Sequence, residues 1–472
     1  MLHTIGRELG SIVGPEAVLS APEDLMLYEY DGSVERARPQ AVVFPSSTEQ
    51  VAALVRWAGA RGLPVVARGA GTGLSGGAIA VEGGLMIGFS RMNKILEIDI
   101  ENQRAVAQPG VVNLDLSNAA APSGYYFAPD PSSQKACTLG GNVAENAGGP
   151  HTLAYGVTTN HVLGLEVVLP NGEVLHTGGR VLDTPGYDLT GLFVGSEGTL
   201  GIVTEIVVRL TRLPEAVQTL LAIFDTVDAA AETVAEITAR AITPAALEML
   251  DQMTLQAVEA ASQAGYPLDA AAVLLIEVEG LREQVETQAV QIREVCQRHA
   301  ARTVRTAQSE AERQRLWAGR KGAFGALGRI APSFYVQDGV IPRTRIAETL
   351  RFIQGVGDRL GLKIANVFHA GDGNLHPNIL YDARDREQNR KVVEAGAEIL
   401  AFCVSLGGSI TGEHGVGIEK NNLMPLLFTE QDLTVMGTLK AVFNPAGRFN
   451  PSKMFPTTKG CGEIRVPPQF PF

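Results

Sequence analysis

The chain has 472 residues, 45% of them hydrophobic and 19% charged, with a formal net charge of −12; that excludes a disordered chain or a small stapled module and suits two or three packed domains. Acids and bases are interspersed on an acidic balance, which argues against a nucleic-acid surface. Cys137, Cys296, Cys403 and Cys461 stand far apart with no CxxC pair, so neither a disulfide framework, a zinc ribbon nor an iron–sulfur ligand set is supported.

In chain order, AVVFPSSTEQVAALVRWAGARGLPVVARGAG (41–71) predicts strand, helix, strand, with Ser46 and Glu49 as a capping box and Gly62 as the helix stop. Strands follow at GGLMIGF, ILEIDI and RAVAQPG, and LGLEVVLPNGEVLH carries an Asn-Gly hairpin signal. An Ala-rich helical stretch is expected over about 226–262, then strand VLLIEVEG, a charged helix at 281–299, strands in VQDGVIPR and KIANVFHAG, and an amphipathic helix at 386–406. The class is α+β, divided as 1–212, 213–407 and a C-terminal segment 408–472. No leader and no run of about 18 uncharged apolar residues occurs, so the expectation is a cytoplasmic protein, peripheral at the inner face of the plasma membrane through partners if at all.

Three glycine-punctuated stretches carry the first chemistry. VVARGAGTGLSGGA (65–78) fits the dinucleotide fingerprint at Gly71, Gly73 and Gly76, but a strand pattern follows where that site needs a helix, and no Lys-Ser/Thr follows for a nucleotide triphosphate loop. What remains is either an unremarkable turn or a run of backbone amides able to wrap an anion. PDPSSQKACTLGGNVAENAGGPHTLAYG (129–156) and GSEGTLGIVTEIVVRL (195–210) supply two more such cradles.

Three cradles in this order resemble the FAD-binding domain of the vanillyl-alcohol oxidase and p-cresol methylhydroxylase type over residues 35–212. The resemblance implies an α+β FAD-binding domain with an α+β substrate domain and a C-terminal segment that returns to the flavin. It implies that Arg68, Gly69, Ala70, Gly71, Thr72, Gly73, Leu74 and Ser75 hold the pyrophosphate. Pro129, Ser132, Leu139, Gly140, Asn142, Asn146 and Gly149 then line the flavin, and Gly201 and Val203 reach adenine. Relatives that bind FAD covalently often place His where this chain has Thr72, so non-covalent FAD is expected, with His151 a stray candidate for a link.

FHAGDGNLHPN (368–378) raises a second chemistry. A two-residue Asp372-Gly373 turn would set His369 opposite His376 with Cβ atoms roughly 4.5–5.5 Å apart, and Asn378 would share their face. GEHGVG (412–417) adds a carboxylate, Glu413, and a base, His414. Two His and one Glu leave open positions on an ion such as zinc, as in a hydrolase; structural histidines are the plainer alternative.

HAGDGNLHPN, GEHGVG, WAGRKGAFG (317–325) and FNPAGRFNPSK together resemble the FAD-linked D-2-hydroxy-acid dehydrogenases, glycolate oxidase FAD subunits among them, over nearly the whole chain. The resemblance implies His369, His376 and Glu413 as ligands of a divalent metal, zinc or manganese. It implies Arg320 as the carboxylate clamp, Asn378 as a substrate contact, His414 as base and Asn450 near the flavin. An iron–sulfur subunit and a second FAD-domain subunit are the implied partners. Relatives that oxidise D-2-hydroxyglutarate place Thr and Lys where this chain has Phe324 and Val336, so a small substrate is expected, glycolate before D-lactate. An ether-lipid synthase and a non-catalytic flavoprotein on the same scaffold are the competing readings.

Overall fold

The computed structural model describes residues 2–182 and 185–456, and Cys461 lies outside them. The described residues fall into two compact units: those up to 148, those of 157–213 and those from 413 onward form the first, and residues 149–156 with 214–412 form the second.

In the first unit, Ala41–Val43, Leu85–Gly88 and Val65–Arg68 run parallel, and Val18–Leu19 pairs antiparallel with Ala41–Val43. The helix Thr48–Ala60 covers this sheet with Val51, Leu54, Val55 and Ala58. Its cap is Ser47, which accepts from Gln50 N, rather than Ser46; the Gln50 carboxamide oxygen accepts from Ser46 N (2.7 Å), one residue before the cap, so the Ser46–Glu49 box is not formed. Gly62 does stop the helix, at φ +68°. A five-stranded antiparallel sheet follows, in the order Ile95–Asp99, Arg104–Ala107, Ile202–Arg209, Val162–Val168, Val174–Gly178. The C-terminal segment returns to the first sheet, where Phe449 bridges Val65 and Asn450 N donates to Val65 O (2.8 Å).

The second unit is one seven-stranded antiparallel sheet. Its strands are β1 (Ala216–Phe224), β2 (Ala246–Asp251), β3 (Ala272–Gly280), β4 (Thr303–Thr306), β5 (Ser333–Val336), β6 (Lys363–His369) and β7 (Pro377–Tyr381), in the order β4-β1-β3-β2-β6-β7-β5. The expected helix over 226–262 is three elements: helix Val227–Ala239, then β2, then helix Gln252–Ser262. Ala241 at φ +58° and Pro244 end the first helix. Pairing on both sides then makes a strand of ALEMLD, whose residues otherwise favour helix.

Both faces of this sheet are buried, and side chains alternate between them. Leu220, Ala222, Leu247, Met249, Leu274, Ile276 and Phe368 face one core, with Val234, Ile292, Ile353 and Ile399 from covering helices. Leu221, Ile223, Ala246, Leu250, Val273, Leu275, Ala365, Val367 and Leu380 face the other, under Leu255, Val258, Leu316, Trp317, Ala323 and Leu327. The second face holds the polar side chains of interest.

Candidate functional site

The first unit's cradle is shaped by residues with no room for a side chain. A Cβ on Gly69 would stand 2.4 Å from Thr138 Oγ1, one on Gly71 (φ +71°) 2.2 Å from Arg68 Nη2, and one on Gly140 2.6 Å from Pro109 Cβ. Gly69 thus meets the start of the helix Leu139–Glu145, where Thr138 caps Gly141 N, and the helix ends at Asn146 in the left-handed region. Gly201 and Val203 begin the strand Ile202–Arg209 beside Val167, and a Cβ on Gly201 would lie 2.5 Å from Val167 Cγ1. Pro129 O accepts from Asn113 Nδ2 (2.9 Å). Ser75 Oγ, Arg68 Nη1, Asn113 Oδ1 and Asn142 Nδ2 are buried without a hydrogen-bond partner. Native interiors rarely leave such atoms unpaired, so orphaned donors and acceptors around tight glycine backbone fit a polar, phosphate-bearing ligand such as FAD. Gly149 falls in the second unit.

The loop bearing Glu413 and His414 is held by a residue that sequence reasoning missed. Glu197, at φ +53°, accepts from Val416 N (2.7 Å) and Gly417 N (2.8 Å) with its two carboxylate oxygens. Burial pushes its carboxyl up, and those two amides offset part of that rise. Asn450 Nδ2 donates to Glu197 O (2.6 Å) and Gly77 O (2.8 Å), which ties the C-terminal segment to the glycine loop. His414 Nε2 lies 3.8 Å from Glu413 Oε1.

In the second unit β6 and β7 form the expected hairpin with a different register. His369 pairs with Asn374 rather than His376, and Ala365 with Asn378. The tip residues bond elsewhere: Gly371 N donates to Leu247 O, Ile341 N to Gly373 O and Leu375 N to Gly339 O, while the Asp372 carboxylate accepts from Asn374 N. These contacts replace the two-residue turn. A shift of two preserves the face, so the imidazoles still meet, edge to face with centroids 5.0 Å apart and ring nitrogens within 4.8 Å of one another. One ion with metal–nitrogen bonds of roughly 2.0–2.1 Å fits such a pair.

His369 stands directly across from Glu248 on β2, and its Nδ1 is 2.7 Å from Glu248 Oε1. Glu248 Oε2 faces Arg320, 2.6 Å from Nε and 2.5 Å from Nη2. Glu248 is 0%, Arg320 1% and His369 4% exposed, so this chain of contacts is dry. Burial pushes the Glu248 carboxyl up, but the Arg320 and His369 charges outweigh it and hold the group below its ordinary range. His376 Nε2 lies 3.5 Å from Asp338 Oδ1, and Asp338 accepts from Asn374 Nδ2, Thr411 Oγ1 and Gly412 N. Asn378 donates to His376 O (2.7 Å) and Ala365 O (3.3 Å), which leaves its buried Oδ1 without a hydrogen-bond partner. Phe324 stacks on Phe334 and stands 6.4 Å, centroid to centroid, from His376. His151, the stray flavin-link candidate, stacks on Trp317 in this second unit.

Residues 39–178 match the family described as FAD binding domain, and residues 213–454 match the family described as FAD linked oxidases, C-terminal domain. The chain is 47% identical to glycolate oxidase subunit GlcD of Escherichia coli strain K12 over 95% of this chain and 90% of that one. It is 34% identical to D-lactate dehydrogenase of Anaerostipes hadrus over 89% and 90%. Among solved structures, p-cresol methylhydroxylase with substrate bound superposes with a TM-score of 0.81 at 18% identity, covering 96% of each chain. The chain belongs to the family of FAD-linked oxidases, as an FAD-dependent oxidoreductase of the p-cresol methylhydroxylase fold.

Proposed function

We propose that this oxidoreductase oxidises a small D-2-hydroxy acid to its 2-oxo acid, glycolate to glyoxylate first and D-lactate to pyruvate second. The observation that carries the reading is the buried His369–Glu248–Arg320 chain beside His376: a pair of imidazoles suited to a cation, linked through one carboxylate to a guanidinium suited to an anion. Relatives named glycolate oxidase subunit and D-lactate dehydrogenase support the substrate class.

Arg320 pairs with the substrate carboxylate through the guanidinium N–H groups turned away from Glu248, which takes the Nε and Nη2 edge. His414 removes the hydroxyl proton, and Asn378 Oδ1 accepts a hydrogen bond from the substrate. The glycine loop with Thr72 would hold FAD non-covalently, and the bound flavin would supply the acceptor for the hydride that leaves Cα. His369, His376 and Glu413 would hold a divalent cation, zinc or manganese, which would supply Lewis-acid polarisation of the hydroxyl oxygen. The books balance: one C–H pair of electrons leaves with the hydride, one O–H proton goes to His414, and a C=O bond forms.

Phe324 and Val336 favour hydrogen or methyl at the far end of the substrate. A second carboxylate against them would be desolvated and unpaired, a cost of several kcal/mol on the order of a buried lone charge. An ether-lipid synthase has no evident use for the paired imidazoles. The reduced flavin must lose its electrons, and partners like those of a glycolate oxidase, an iron–sulfur subunit and a second FAD-domain subunit, are the proposed acceptors. Among the described residues no helix is long and apolar enough to cross a membrane, and the proposed location is cytoplasmic, peripheral to the inner face of the plasma membrane through those partners.

The test is anaerobic mixing of the flavin-loaded protein with glycolate, D-lactate, D-malate and D-2-hydroxyglutarate. Flavin absorbance should bleach with the first two and orders of magnitude more slowly with the dicarboxylates. No bleaching by any hydroxy acid would sink the reading.

A further inference from the structure

Glu248 is shared between two side chains. It lies at the centre of β2, fully buried, and its two oxygens serve two different side chains: Oε1 meets His369 Nδ1 at 2.7 Å, and Oε2 meets Arg320 Nε at 2.6 Å. The two partners come from different elements, a strand end and the helix Glu310–Lys321. The Arg320 guanidinium can only donate to Oε2, and a carboxylate paired with it accepts at its other oxygen too, so the imidazole nitrogen 2.7 Å from Oε1 carries the proton. That fixes the tautomer: Nδ1 is N–H, and Nε2 keeps the lone pair a metal needs.

We propose that Glu248 is the positioning residue of the substrate site, one carboxylate that sets the ring and tautomer of His369 and the guanidinium of Arg320 together. This rests on the function proposed above. Neither partner could be set so firmly alone. A ring on a strand end rotates about two torsions, and a long arginine has many rotamers. The β2–β6 register places Glu248 and His369 opposite each other, so the strand pairing itself delivers the first contact. The helix Glu310–Lys321 delivers the second, and cation donor and anion clamp are thereby locked in mutual register.

The carboxamide of Glu248→Gln has the same shape but offers one acceptor and one donor, and cannot satisfy both N–H partners. The flavin-loaded variant is expected to keep its FAD, to hold zinc roughly 10–100-fold more weakly after dialysis against a chelator, as for other lost carboxylate–histidine contacts, and to bind propionate at least about tenfold more weakly. Propionate, followed by its perturbation of the flavin spectrum, has a carboxylate and no hydroxyl, so it reports on Arg320; zinc, by elemental analysis, reports on His369. His369→Gln run in parallel should lose zinc and keep propionate, which separates a shared carboxylate from loss of metal alone. Flavin-loaded E248Q that retains zinc and propionate as the parent does would overturn the proposal. Should E248Q not fold, the unaltered protein still decides: nitrogen-15 spectra of its histidines, with His369 identified by H369Q, must show the Nδ1–H tautomer, and an Nε2–H ring overturns the role of Glu248. A parent protein that binds neither zinc nor propionate removes the functional reading itself, an outcome distinct from one in which parent and E248Q both bind.

Discussion

Glu248 and Glu277 sit at diagonal positions on neighbouring strands, since Ala246 is the direct partner of Glu277, and both point to the same face. Each is fully buried and each faces a histidine and an arginine: His369 and Arg320 for Glu248, His151 and Arg313 for Glu277. Arg313, Trp317 and Arg320 stand at i, i+4 and i+7 on one helix, so a single helical stripe serves both carboxylates. The difference lies in how the oxygens are spent. Thr219 Oγ1 (2.5 Å), Arg313 Nε (2.9 Å) and Nη2 (2.8 Å) and Trp317 Nε1 (2.7 Å) fill Glu277, and Tyr155 donates to its neighbour Glu279. By composition His151, Glu277 and Glu279 resemble a metal site; by hydrogen bonding they are a rivet. Glu248 instead divides itself between two side chains, one oxygen to His369 and the other to Arg320.

The largest effect expected is at neither carboxylate. His414→Ala should slow flavin reduction roughly 10²–10⁴-fold, the usual worth of a positioned general base, while the melting temperature stays near the parent's. Rapid-mixing absorbance under anaerobic conditions checks it, and an unaffected reduction rate would make His414 structural.

Next, Glu277→Ala removes the fully buried carboxylate that Thr219, Arg313 and Trp317 all bond and should cost about 3–5 kcal/mol of stability, the range for a broken buried pair. Denaturant unfolding measures it. A loss below about 1 kcal/mol would mean that the Glu277 set is no rivet. The pH dependence sharpens this. Burial pushes the Glu277 carboxyl up, but hydrogen bonds from His151 and Arg313 outweigh it and hold the group at about 2, against an ordinary 4.5. A depressed folded value means that the stabilisation is full above the ordinary value and is lost as pH falls toward 2. The stability gap between parent and Glu277→Gln should therefore narrow as pH drops from 5 to 3, and a constant gap would contradict it.

The sequence displayed the outer layer of the site and hid the inner one. His369, His376, Glu413, His414 and Arg320 stand in short motifs whose residue types announce chemistry, and the glycine loops announce close backbone. Glu248 lies inside ALEMLD, a string of good helix formers that joined its neighbours into one expected helix; only Pro244 signalled the break, and only tertiary pairing makes it a strand. Glu197 lies in GSEGTLG, where the glycines drew attention to backbone and away from the one charged side chain. The His369–His376 register failed for a related reason: an Asp-Gly turn rule is local, and here strand β2 and residues 339–341 claim the turn's backbone.

A smaller expected effect separates the two units. FAD should be released when the protein is precipitated with acid, because Thr72 offers no link and His151 lies in the second unit against Trp317. Colour remaining with the denatured protein would contradict it. Substitution of His369 or His376 by Ala should likewise leave FAD content unchanged while lowering bound metal, since the cradle and the paired imidazoles belong to different units.

The contrast between the two carboxylates is tested most directly by single-turnover flavin reduction with glycolate, run side by side on flavin-loaded Glu248→Gln and Glu277→Gln with their unfolding curves. The expected result is a crossed pattern: Glu248→Gln reduces at least about tenfold more slowly, while Glu277→Gln unfolds more easily yet reduces within about threefold of the parent. Reduction that fails in Glu277→Gln and survives in Glu248→Gln would contradict it.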